Sequence, residues 1–248
     1  MSTPARNTVL ITGGSAGIGA ACARHAASKG RNVILTYNSD RAGADAVASD
    51  VIAAGQSAQV IRCDVSDSAQ IDALFAAIDP ATPIDLVNNA GIVAPTASVN
   101  DLTAERLTQI FAVNVVGAIL VARGAVAHMR RAPRSGHIVN ISSAAARLGS
   151  ANLYVDYAAS KGAVDTFTTG LSGELAGEGI RVNAVRPGMV LTDIHTKGGE
   201  PDRAQRLAPT IPMQRPGTAA EIAASVIWLL SDEASYVTGA FLDVSGGR

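Results

Sequence analysis

The chain has 248 residues, with 20 Lys+Arg against 21 Asp+Glu (formal net charge -1), 48% hydrophobic residues, 24 Gly and two Cys. So even a balance argues against a broad basic face for nucleic acid, which needs concentrated Lys and Arg to neutralise phosphates. The expected partner is a small molecule. A membrane span needs about 20 apolar residues; the most apolar stretch, Leu107 to Ala122, is broken by Thr108, Gln109, Asn114 and Gly117 and is expected to be a buried helix. Pro4 and Arg6 precede the first apolar run, so no signal-peptide core is visible. Cys22 and Cys63 fit buried thiols of a reducing compartment, and a soluble cytoplasmic protein without a membrane partner is expected.

Short apolar runs predict strands at Thr8–Thr12, Asn32–Thr36, Gln59–Arg62, Ile84–Val87, His137–Ile141, Arg181–Val185 and Ala240–Val244. All but the last precede an Ala-rich segment of helical length, beginning with Ala16–Ser28 and Ala42–Ala54. The runs lack apolar/polar alternation, as expected for strands covered on both faces, and regular strand–helix alternation predicts one α/β domain with a parallel sheet. Only Met189–Pro216, with Pro201, Pro209, Pro212 and Pro216, has no clear assignment. It is expected to be a lid over the substrate.

The first strand runs into Thr12-Gly13-Gly14-Ser15-Ala16-Gly17-Ile18-Gly19 and then a helix. Glycines there let main-chain N–H groups approach an anionic pyrophosphate at the positive end of a helix, and Gly19 is expected to allow close helix–sheet packing. The spacing is G-x-x-x-G-x-G rather than G-x-G-x-x-G, so its weight comes from its position after strand one. Strand two ends at Thr36-Tyr37-Asn38-Ser39, where a carboxylate would select NAD by its ribose hydroxyl. Tyr37 stands there instead, and Ser39 and Arg41 could receive a 2′-phosphate, so NADP is favoured with NAD as the alternative. Asp40 and Arg41 could equally begin a solvated helix. Cys63-Asp64-Val65 and Asn88-Asn89-Ala90-Gly91 end the third and fourth strands, converging on the same switch point.

Tyr157 and Lys161, four residues apart in a helical pattern, share one helix face. Ser142 and Ser143 follow the strand His137–Ile141 and so lie at its carboxyl end.

Thr12–Gly19 (TGGSAGIG), Asn88–Gly91 (NNAG), Asn114, Ile141–Ser143 (ISS), Tyr157–Lys161 (YAASK) and Arg186–Gly188 (RPG) together resemble the motifs of the single-domain short-chain dehydrogenases/reductases. They fall in order over nearly the whole chain. Within that family the chain is similar to sugar-dehydrogenase-like and 3-oxoacyl-carrier-protein-reductase-like oxidoreductases. The resemblance implies a doubly wound Rossmann-type domain with a seven-stranded, mainly parallel sheet. It implies Tyr157 as general acid/base, Lys161 as its electrostatic partner and ribose ligand, Ser143 as donor to the substrate oxygen, and Asn114 as a relay to water near Lys161. Cofactor contacts would come from Gly13, Ser15, Gly17, Ile18, Gly19, Tyr37, Asn38, Ser39, Arg41, Asp64, Val65, Asn89, Ala90, Gly91, Tyr157, Lys161, Pro187, Gly188, Val190 and Thr192. Between Ser143 and Tyr157 the chain is one residue longer than in many relatives, so Tyr154 and Ser142 stay as alternates.

A tyrosine working as a base near neutrality needs its pKa of about 10 lowered by roughly 3 units, about 4 kcal/mol. A cation about 4 Å away at an effective dielectric of about 20 supplies on the order of that, so Lys161 is expected to suffice.

His25, His128, His137 and His195 share no short spacing, which argues against a metal site. His195 falls in the expected lid, either touching substrate or exposed. Arg123, Arg130, Arg131 and Arg134 have no acid among them and could meet an acidic carrier protein or complement a helix C-terminus. Gly162, Ala163, Thr166, Gly170 and Gly173 leave one face of the Tyr157 helix with little bulk, suited to a homodimer or homotetramer or to packing within the chain.

Three functions stay open: an NADP-linked carbonyl reductase or alcohol dehydrogenase, which includes a reductase of acyl thioesters on a carrier protein; a non-catalytic dinucleotide sensor; and an epimerase or dehydratase of the same superfamily. The complete Asn114, Ser143, Tyr157, Lys161 set favours the first. About 60 residues follow Pro187, few for the substrate region of an epimerase.

Overall fold

Seven of the apolar runs pair in one parallel sheet. The computed structural model describes residues 7–132, 136–192 and 198–248. Its strands are β1 (Thr8–Ile11), β2 (Val33–Tyr37), β3 (Ala58–Arg62), β4 (Ile84–Asn88), β5 (His137–Ile141) and β6 (Arg181–Pro187), then the short β7 (Val190–Leu191) and β8 (Gly217–Thr218), and β9 (Phe241–Val244). The main sheet has the order β3-β2-β1-β4-β5-β6-β9, all neighbours parallel. The chain thus reverses its winding direction between β1 and β4, which opens a crevice at the carboxyl ends of the strands.

Successive strand residues feed opposite cores. Val9, Ile11, Val33, Leu35, Val139 and Ile141 pack beneath helices α1 (Gly17–Ser28) and α2 (Arg41–Ala53). Leu10, Ile34, Leu86 and Ile138 pack on the other side with α3 (Ser68–Ala76), α5 (Ala118–Met129) and the end of α7 (Val155–Leu175). Burial on both faces explains why the central runs do not alternate. The edge strand β3 departs from that expectation: Gln59 and Arg62 are exposed, because no strand lies beyond it.

The apolar stretch around Leu107–Ala122 is less buried than expected. Helix α4 (Ala104–Phe111), a π-helical turn (Ala112–Gly117) and α5 run on as one continuous helical segment. Among the described residues Ala104–Met129 is the one helix long and apolar enough to cross a membrane, and 44% of its most apolar window is buried in the fold. Ile110, Asn114, Val121 and Ala125 face the interior, while Leu107, Val116 and Ile119 are exposed.

The described part of Met189–Pro216 carries regular structure rather than a plain loop. β7 pairs with β8, α8 (Arg203–Leu207) follows Glu200, and Ile211 is fully buried before α9 (Ala219–Leu229) begins. The predicted lid residues Asp193, Ile194, His195 and Lys197 lie outside the described residues. Helix α6 (Ala145–Leu148) caps the end of β5.

Candidate active site

The glycine turn is forced into shape by two left-handed residues, Gly13 (φ +64°) and Gly17 (φ +54°), a conformation L side chains disfavour. A Cβ on Gly13 would also stand 3.1 Å from the Ala90 Cα. Thr12, absent from the predicted contacts, ties the turn to the end of β4: its Oγ1 accepts the N–H groups of Asn89 (2.9 Å) and Ala90 (3.0 Å). Asn89 returns the tie, its Nδ2 donating to the carbonyls of Thr12 (2.8 Å) and Gly13 (3.0 Å). Gly19 has a different use from the one expected. A Cβ there would lie 2.3 Å from the Gly13 carbonyl oxygen, so Gly19 packs against the turn itself, and Gly14 gives the close approach to the sheet, where a Cβ would lie 2.7 Å from the Leu35 Cβ.

Helix α1 starts at this turn without a side-chain cap at Ala16 and without an acid in its first turn. By contrast α2, α3, α4 and α9 are capped by Asp40, Asp67, Thr103 and Thr218. The open N–H groups of α1 and its positive end face an anion-sized space.

That space belongs to a cavity of about 700 Å³. Of the predicted cofactor contacts, Gly13, Ser15, Gly17, Ile18, Tyr37, Asn38, Ser39, Asp64, Val65, Asn89, Ala90, Gly91, Tyr157, Lys161, Pro187, Gly188, Val190 and Thr192 all line it. Gly19 and Arg41 do not. Arg41 is the first residue of α2, exposed, with Nε 2.8 Å from the Asp45 carboxylate and its guanidinium 5.8 Å from the Tyr37 ring centroid. Asp40 lines the wall, its carboxylate accepting from the Gly43 N–H at 2.9 Å. A second cation, Arg62, stands at the same rim, donating to the Asn38 carbonyl at 3.2 Å. Its position at the exposed end of an edge strand gave no sequence signal. Bonds from the Ser66 hydroxyl and amide and from Asn38 hold the Asp64 carboxyl below its ordinary range.

At the other end of the cavity, Tyr157, Lys161 and Ser143 come together. The Ser143 Oγ accepts from the Ala145 N–H at 3.0 Å, and its hydroxyl acts to lower the Tyr157 phenol. Ser142 is buried and turned to the Lys161 carbonyl at 3.4 Å, so the two alternates separate by orientation. The Lys161 Nζ donates to the Ile141 carbonyl at 2.7 Å and lies 5.8 Å from the Tyr157 ring centroid. The electrostatics differ from expectation. Burial pushes the Tyr157 phenol up to about 12, opposed by Ser143, and pushes the Lys161 ammonium down to about 8, opposed by Asp165. Desolvation of both groups outweighs the attraction between the ammonium and a phenolate.

Asn114 sits on the π-helical turn, a distortion that often marks functional positions. Its Oδ1 accepts the Ile92 N–H (2.8 Å), and its Nδ2 donates to the Ile92 carbonyl (2.9 Å) and to Ser160 Oγ (3.1 Å). A Cβ on Gly91 would be 3.3 Å from that Oδ1 and 3.4 Å from Lys161 Nζ, so Gly91 keeps the two side chains adjacent. Arg186 fixes the helix that carries Lys161, pairing with Asp165 at 2.8 Å.

The segment before Tyr157 turns at left-handed Ser150 (φ 51°) and Asn152 (φ 58°). It brings Tyr154 into the cavity, edge-on to Tyr157 with ring centroids 5.9 Å apart. The Arg203 guanidinium carbon lies over the Tyr154 ring, 5.0 Å from its centroid. Glu200, Arg203 and Arg248 complete this wall and were not singled out as site residues from sequence.

The arginine cluster is not free of acids once folded. Arg123 pairs with Asp72 at 3.1 Å and Arg130 with Glu178 at 2.6 Å, both acids supplied by other elements, and Arg131 donates to the Ala127 carbonyl. Arg134 lies outside the described residues.

Comparison with known proteins agrees with this geometry. A family model described as Enoyl-(Acyl carrier protein) reductase matches residues 13–248. The chain is 50% identical over 243 residues to "Uncharacterized oxidoreductase YgfF" of Escherichia coli (strain K12), covering 96% of this chain and 98% of that one. It is 36% identical to "Glucose 1-dehydrogenase 2" of Bacillus subtilis (strain 168), covering 97% and 93%. Its fold matches a short-chain dehydrogenase from Burkholderia cenocepacia J2315 in complex with NADP, with a TM-score of 0.87 at 32% identity and 97% coverage of both chains. With the parallel sheet, the glycine turn and the Ser–Tyr–Lys cluster in place, the chain belongs to the short-chain dehydrogenase/reductase family of oxidoreductases, which use NAD(P).

Proposed function

We propose that the protein interconverts a carbonyl and a secondary alcohol with NADP(H), with Tyr157 as the general acid/base. The observation that carries this is the placement of Tyr157, Ser143 and Lys161 in the same cavity as the glycine turn. The cradle fits a dinucleotide: Gly13, Gly17 and Gly91 stand where a side chain would be strained or would crowd the site, and the first N–H groups of α1 have no side-chain cap. When bound there, the nicotinamide supplies a hydride to the carbonyl carbon or accepts one from the alcohol.

The chain's own groups then manage the oxygen. Tyr157 stays protonated throughout the neutral range, since burial pushes it up to about 12; it can therefore give its proton to the oxygen as the carbonyl is reduced. Ser143 accepts from Ala145, which leaves its hydroxyl hydrogen for the phenol or the substrate oxygen, and a fixed donor there stabilises the developing negative charge. Lys161, held by Ile141, would bind the ribose hydroxyls and bring a charge that favours the phenolate in the oxidising direction. Asn114 would fix the loop at Ile92 and relay protons to water beside Lys161.

NADP rather than NAD is supported by Tyr37 standing in place of a carboxylate at the end of β2 and by Arg41 and Arg62 at that rim. Receiving a 2′-phosphate requires Arg41 to leave Asp45, an exposed pairing of small worth. The Met189–Pro216 segment would serve as the substrate lid. Self-association into a homodimer or homotetramer is supported by two adjoining features. Gly162, Gly170 and Gly173 on α7 would meet nothing within 4 Å if given a Cβ, and Leu107, Val116 and Ile119 are exposed.

The test follows absorbance of reduced nicotinamide with NADPH and NADH against ketones, sugars and acyl thioesters. Oxidation of NADPH by at least one carbonyl, faster than of NADH, is expected. Cofactor binding with no turnover of any of them would instead favour a dinucleotide sensor.

A further inference from the structure

The wall beyond Tyr157 carries a cation that proton transfer does not use. The Arg203 side chain is only 7% exposed, and its Nη1 donates to Glu200 Oε1 at 2.7 Å. Its guanidinium carbon lies 5.0 Å from the Tyr154 ring centroid. Its Nε is buried without a hydrogen-bond partner among the described residues. Glu200 also receives Arg206, so one carboxylate serves two guanidinium groups. Arg248 lines the same wall, its main-chain oxygen already held by Arg147 (2.9 Å) and Ser245 (2.7 Å).

Glu200, Arg203 and Arg248 together line this end of the cavity. The Tyr154 phenol lies among these charges: burial raises it on balance, Arg203 and Arg248 act to lower it and Glu200 acts with burial. A buried guanidinium needs more than one shared carboxylate to replace its hydration, and a planar oxyanion is the group that matches its donors.

We infer that Arg203, stacked on Tyr154 in the cavity wall, receives the carboxylate of the substrate, which is then an oxo acid or the matching hydroxy acid. This rests on Tyr157 being the reacting group. Tyr154 touches both groups, its ring centroid 5.0 Å from the Arg203 guanidinium carbon and 5.9 Å from the Tyr157 ring centroid, so a substrate that reaches from Arg203 to Tyr157 passes the Tyr154 ring and keeps its carboxylate and carbonyl several bonds apart. The substrate is a 4-oxo or 5-oxo acid rather than a 2-oxo acid.

The experiment compares 4-oxopentanoate with its methyl ester in the full-length protein, wild type against Arg203→Gln and Arg203→Lys. For wild type the acid is expected to exceed the ester at least tenfold in kcat/KM, carried by KM. Arg203→Gln should bring the ratio towards one, and Arg203→Lys should restore part of it. The ratio is internal to each variant and so is insensitive to partial misfolding. Calorimetric binding of 4-oxopentanoate to the cofactor complex should weaken at least tenfold in Arg203→Gln, whether or not turnover occurs. A wild-type ester as good as the acid, or an acid preference that survives Arg203→Gln, overturns the inference. Neutral ketones reduced while the acid fails to bind would sink it and leave the reductase standing. Arg203-dependent binding of the acid with no carbonyl reduced would do the opposite.

Discussion

Lys161 directs its ammonium to the Ile141 carbonyl at 2.7 Å, while the Tyr157 ring centroid stands 5.8 Å away. The lysine is thus anchored to the strand that also leads to Ser143, so one main-chain carbonyl sets the spacing of the reacting groups. Burial brings Lys161 down to about 8, well below its unfolded value of 10.5. The charged form is therefore present below about pH 8 and lost above it. With Tyr157 protonated up to about 12, kcat/KM for reduction at limiting cofactor and carbonyl is expected to be flat below about pH 8. Above that it should fall roughly tenfold per pH unit. Lys161→Arg, which keeps its charge, should remove this limb at a lower overall rate. A profile flat to pH 10 in wild type would refute the role of the charge.

Arg106 and Asp156 form a bracket beside Tyr157. Asp156 is fully buried and Arg106 is 15% exposed, at 2.6 Å, and Arg106 also donates to the Pro95 carbonyl at 2.6 Å. Burial acts to raise the Asp156 carboxyl, yet Arg106 and the Tyr157 amide hold it below its ordinary range. The pair's contribution is present at neutral pH and lost as pH falls through the folded carboxyl's pKa. Removing one partner strands the other, so Asp156→Ala should cost about 3–5 kcal/mol in urea unfolding. Replacing both by apolar residues should cost distinctly less.

Two glycines should behave oppositely. Gly19→Ala places a Cβ 2.3 Å from the Gly13 carbonyl oxygen, so cofactor affinity should fall at least tenfold. Gly170→Ala meets nothing within 4 Å, and its helix propensity should hold or raise protomer stability by up to about 1 kcal/mol. Its effect should appear in sedimentation, as weakened self-association. Unchanged assembly would remove the α7 face from the interface.

Arg41 tests the cofactor preference. If it turns from Asp45 to a 2′-phosphate, Arg41→Ala should lower kcat/KM for NADPH about tenfold and leave NADH nearly unaffected. Equal losses with both would mean that Arg62 or another group provides the selection.

The sheet was legible because Val9–Ile11 and Val33–Leu35 are unbroken apolar runs, as expected of strands covered on both faces. The edge β3 looked the same in sequence, and its exposure follows from topology that no local pattern records. Tyr157, Lys161 and Ser143 were legible as spaced motifs, and Gly13 and Gly17 as glycines of a phosphate-approaching turn, whose left-handed backbone only the structure shows. Arg203 was not: it is distant in sequence and becomes a site residue only through its stack on Tyr154. The arginines Arg123 and Arg130 looked unpaired because Asp72 and Glu178 arrive from other elements. The upward shift of Tyr157 follows from burial, which charge spacing along a sequence does not reveal.

The most direct measurement is turnover of a reducible carbonyl by Tyr157→Phe beside Tyr154→Phe, with cofactor affinity read separately by nicotinamide fluorescence. Tyr157→Phe is expected to lose at least a thousandfold in kcat while binding cofactor within about threefold of wild type, and Tyr154→Phe to keep measurable turnover. Retained turnover in Tyr157→Phe with loss in Tyr154→Phe would contradict the account and transfer the proton chemistry to Tyr154.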